Sequence, residues 1–93
     1  MNHAQHEIMW NVRKGVAELL GLPIDYVYFT RGLGQDWDDV PAYFDVDVPV
    51  DRSAAELIVT LKEAGLCPHP YSDHRGIHLM AHEVAPQLFK EGA

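Results

Sequence analysis

The densest run of side chains able to do chemistry lies between Cys67 and His82: Cys67, His69, Asp73, His74, His78 and His82. Zinc takes thiolate and imidazole donors, and two histidines four residues apart on a helix can share one ion. The spacing matches no paired C-x-x-C pattern. Its use depends on local structure. On a helix His78 and His82 stand about 6 Å apart; on a strand they are roughly 13 Å apart, too far to share a metal. The alternation around them favours a strand, which weakens the metal reading. Cys67 next to His69 and His74 also raises nucleophile-and-base chemistry. A reactive thiolate needs a positive surrounding. Cys67 instead follows the end of a predicted helix, where the partial charge is negative. An inert thiol is expected there.

Two other motifs carry chemistry-bearing residue types. Gly32-Leu33-Gly34 has the look of a phosphate turn, but no third glycine and no Walker lysine follow. Asp36, Asp38 and Asp39 offer carboxylates for a hard cation, yet Trp37 interrupts them and the terminal glutamate of an EF-hand is missing. Trp37 reads best as a plug closing the hairpin, since large aromatics are usually mostly buried. If exposed, it is the residue type most enriched at binding hot spots.

Charge is concentrated. Residues 25–51 hold Arg31 alone against Asp25, Asp36, Asp38, Asp39, Asp45, Asp47 and Asp51, so this segment carries −6 of a net −7. Only seven lysines and arginines are present, and none are clustered. Counterion release rewards basic patches, so nucleic-acid binding is disfavoured. The single cysteine excludes an intrachain disulfide and fits a reducing compartment. The N-terminal MNHAQHEIMW has no basic region followed by an apolar run, and no apolar stretch is long enough to span a bilayer. A cytoplasmic location and no membrane partner are expected.

The elements that must position these groups follow from periodicity. Ile8, Met9, Val12, Val16, Leu19 and Leu20 form one helical stripe, stopped by Gly21 and Pro23. Tyr26 to Thr30 and Tyr43 to Val50 alternate as strands, predicted to pair antiparallel across a long loop. Tyr43, Asp45 and Asp47 share the second strand's face, expected to be an acidic face in water. Pro49 suggests that this strand ends at a sheet edge. Ser53-Ala54-Ala55-Glu56 reads as a capping box before Leu57, Ile58, Leu61 and Ala64, and Gly65 closes that helix. Leu66 to Gly76 reads as a loop. A strand from about Ile77 to Glu83 and a short helix from about Pro86 to Glu91 complete the chain.

The expected fold is one α+β domain spanning residues 1–93, with order α-β-β-α-β-α. It is a two-layer arrangement with a three-stranded, mainly antiparallel sheet and helices on one face. The expected function is a small acidic, non-enzymatic module with no cofactor and no assigned catalytic residue. It would bind a basic protein through Asp36, Trp37, Asp38, Asp39, Asp45 and Asp47, as an accessory subunit, regulator or inhibitor. The alternative is a metal- or ligand-binding protein using Cys67, His69, His74, His78 and His82, with weak hydrolase chemistry.

Overall fold

A computed structural model of the chain describes residues 2–30, 39–70 and 76–89, with side chains through residue 88. Helix α1 spans His3–Leu20. Asn2 caps it: the Asn2 side chain accepts from the Gln5 backbone, and the Gln5 side chain accepts from the Asn2 backbone. At the other end Gly21 takes a left-handed φ of 69°, and the Gly21 and Leu22 amides return to the Glu18 and Ala17 carbonyls. This satisfies carbonyls that the helix leaves open.

Helix α2, Ala54–Glu63, is closed the same way, by Gly65 at φ 87°. Its start is simpler than a full capping box. The Ser53 hydroxyl accepts from the Glu56 amide, but the Glu56 carboxylate turns to Arg52 at 2.9 Å.

The sheet has four strands, not three. They are β1, Val27–Thr30; β2, Tyr43–Asp47; β3, Pro68–Pro70; and β4, Gly76–Met80. Their order is β1-β2-β4-β3, and every neighbouring pair is antiparallel. The missed strand is β3, which sequence alone gives as part of a loop. Two of its three residues are prolines, which cannot donate to a ladder and are tolerated at edges. β3 is such an edge. β2 is central and ends before Pro49, which instead opens a turn closed by the Arg52 amide on the Pro49 carbonyl at 3.1 Å.

The last strand is also shorter than its alternation suggests. β4 stops at Met80, where the Ala81 amide bonds to the Ala42 carbonyl and the chain turns into a single helical turn, α3, Ala81–Val84. A 3-10 turn, Pro86–Phe89, stands where a short helix was expected.

One face of the sheet makes the core. Val27, Phe44, Val46, Ile77 and Leu79 are buried there with Met9, Val16 and Leu20 of α1 and Leu57 and Leu61 of α2. The result is a two-layer α+β domain with helices against this inner face. Leu19, placed on the stripe by spacing, is instead 43% exposed. Among the described residues no helix is long and apolar enough to cross a membrane.

Candidate functional site on the outer face of the sheet

Pairing register fixes which side chains share the second face. Tyr28 lies opposite Asp45, Asp45 opposite His78, and His78 opposite His69. Residues directly opposite point to the same side. A polar row therefore crosses all four strands, with Thr30, Tyr43 and Met80 in the neighbouring row and Asp47 two residues beyond Asp45. None of these belongs to the core cluster.

Asp45 is the hub of the row. It is only 2% exposed, so its expected place in a watery acidic face is corrected. The cause is its position in a central strand, between partners on both sides. The Thr30 hydroxyl bonds to one carboxylate oxygen, and His78 Nδ1 stands 2.9 Å from the other. A carboxylate only accepts, so Nδ1–H donates, and Nε2 lies on the far side of the ring. The Tyr43 ring lies 5.0 Å from the imidazole, centroid to centroid, tilted by 45°. His78 is thus held by a buried acid and an aromatic wall.

At the β1 edge the Tyr28 hydroxyl donates to Asp47 at 3.0 Å. Burial, then this hydrogen bond, then the charges of Asp47 and Asp45 push the Tyr28 phenol up to about 12.

At the β3 edge a second acid gathers groups. His69 Nε2 and His82 Nε2 each lie 3.8 Å from a Glu83 carboxylate oxygen. Hydrogen bonding to Glu83, then the Glu83 charge, then desolvation raise the pKa of the Cys67 thiol. That is opposite to the shift an activated nucleophile requires.

The structure sorts the sequence-derived residues accordingly. Asp36, Trp37, Asp38 and His74 lie outside the described residues. Asp39 and Asp47 are exposed, and Asp45 is buried. Cys67, His69 and His82 meet around Glu83, while His78 joins Asp45. As they stand, no three His, Cys, Asp or Glu side chains among the described residues are placed to hold a metal ion. Sequence reasoning missed Glu83, Thr30, Tyr28 and Tyr43. The β-strand alternation that put Asp45 and Asp47 on one face carries Tyr28 and Thr30 as well. Glu83 had no such signal, because its role depends on the unread strand β3. A groove of about 310 Å³ lined by Ile8, Asn11, Val12, Val84 and Gln87 contains none of these groups, and none of its lining residues is ionisable.

Comparison with known proteins finds no family model, no curated protein and no solved structure that matches the chain.

Proposed function

We propose that the chain is a non-enzymatic binding module that takes a basic protein partner through the acidic β1–β2 hairpin. One observation carries this reading. With Asp45 withdrawn into the sheet, the exposed acids Asp25, Asp47 and Asp51 fall at one end of the hairpin, where β1 begins and β2 finishes. Among the described residues none of the three forms an ion pair with lysine or arginine. Carboxylates held in no such ion pair are available to complement a partner of the other sign and to speed its approach.

Beside these acids stand Tyr28, 36% exposed, and Val50, 94% exposed, which give the same end some apolar contact area. A partner rich in lysine or arginine, presenting an apolar residue among them, fits this chemistry.

The experiment compares wild type with Asp25→Asn/Asp47→Asn/Asp51→Asn. Proteins captured from a host extract by wild type and lost with the variant are purified. Their association rates are then measured over a salt series. Wild type should associate faster, with a steep fall as salt rises, and the variant should show a slower rate and a shallower slope. Equal rates and equal slopes would reject this surface.

A further inference from the structure

We propose that His69 and His78 form a cross-strand chelating pair for a borderline divalent transition-metal ion such as Zn²⁺. The inference is independent of the partner reading, because its two ligands lie on β4 and the edge strand β3 and it uses none of Asp25, Asp47 and Asp51. His69 lies directly opposite His78 in the β3–β4 register. Facing residues in an antiparallel pair have Cβ atoms about 4.5–5.5 Å apart, with both side chains on the same face. Two nitrogens bound at about 2.0–2.1 Å to one tetrahedral ion lie about 3.4 Å from each other. Imidazoles rising from that Cβ spacing can reach it.

His78 is prepared for this role. Its Nδ1 is bound to Asp45 at 2.9 Å, and Asp45 is in turn bound by Thr30. A carboxylate on one imidazole nitrogen fixes the ring and raises the basicity of the other, the arrangement that supports metal-bound histidines. The Tyr43 ring restrains the same imidazole from the side. Both side chains are reachable from solvent, His69 at 54% and His78 at 27% exposure. The pair supplies two protein ligands and leaves the remaining positions to water. Glu83, 3.8 Å from His69 Nε2, stands where it can accept a hydrogen bond from a bound water.

The ion would also act mechanically. β3 can give its neighbour only one backbone N–H, from His69, because Pro68 and Pro70 have none. A metal shared by His69 and His78 would tie this thinly bonded strand to β4, and binding would stabilise the folded chain.

The test titrates the full chain with zinc chloride. Calorimetry should give one saturable equivalent, and the thermal midpoint should rise with the logarithm of zinc concentration. Both effects should vanish in His69→Ala and in His78→Ala. They should persist in His3→Ala/His6→Ala, which removes the imidazole pair in the first turn of α1, and in Cys67→Ser. Should an alanine variant fail to fold, imidazole NMR resonances of the wild type give a second readout. Those of His69 and His78 should move together at one equivalent, ahead of His3, His6 and His82. Absence of saturable binding at sub-millimolar zinc, or resonance changes confined to the other histidines, would overturn the proposal.

Discussion

Asp45 and Asp47 sit two residues apart on one strand face and have opposite environments. Asp45 is enclosed and bonded to Thr30 and His78; Asp47 is exposed and accepts one bond from Tyr28. Removing Asp45 takes the hydrogen-bond acceptor from two half-buried partners at the centre of the sheet, so Asp45→Ala should cost about 1–3 kcal/mol. Asp47→Ala should stay within about 0.5 kcal/mol, as surface changes usually do. Paired denaturant melts check the contrast, and equal midpoints would contradict it. Tyr28 gives a pH test. Its phenol is raised in the folded state to about 12, from an ordinary value of 10.0. The folded chain therefore holds the phenol's proton more tightly than the unfolded chain. The stability this adds is complete below about pH 10 and is lost as pH climbs through 10 toward 12. Ultraviolet titration should find one tyrosine ionising late. In Asp47→Asn it should ionise earlier, yet above the ordinary value, because burial, the largest single cause, and the Asp45 charge both remain. The shared face of the two acids was legible from alternation alone. Their difference in burial was not, because it depends on β4 lying beyond β2, a pairing no local pattern encodes.

Local stop and start signals read well at the level of elements. Gly21 and Gly65 end the long helices in the left-handed conformation that glycine favours, and Ser53 caps α2. β1, β2 and β4 follow from alternation, although β4 yields to α3 three residues before the alternation ends. β3 was illegible for a physical reason. With His69 flanked by prolines there is no period to detect, and only the exposed edge of an existing sheet makes such a segment a strand. Gly15 poses the reverse problem: a residue with high backbone entropy within α1, which a close backbone approach could have explained. The structure removes that explanation, since a Cβ there would meet nothing within 4 Å. Gly15→Ala should therefore stabilise the chain by up to about 1 kcal/mol, read as a higher thermal midpoint. A lower midpoint would mean that the open space at this helix position is used by something else.

For the whole molecule, charge counted along the sequence proved a poor guide to charge in space. The acidic segment was legible as one block, but folding divides it. Asp25, Asp47 and Asp51 go to one end of the hairpin, Asp45 goes inside, and Asp39 follows the connection at the other end. The candidate site was half visible in the same way. Its histidines stood out by type, whereas the acids that organise them, Asp45 and Glu83, came from separate elements. The two borders of the sheet carry a further consequence, one for molecules in a crowd. An open sheet invites neighbours to extend it, and extension without end is aggregation. Here one border is a strand with two prolines, and along the other the Arg13 guanidinium already occupies the Val27 carbonyl at 2.7 Å. Replacing both prolines, Pro68→Thr/Pro70→Thr, should unmask a template and produce concentration-dependent oligomers in sedimentation velocity, where the parent chain sediments unchanged across the same range. The prolines that hid β3 from sequence reading are, on this account, what keeps one copy of the chain from being stitched to the next.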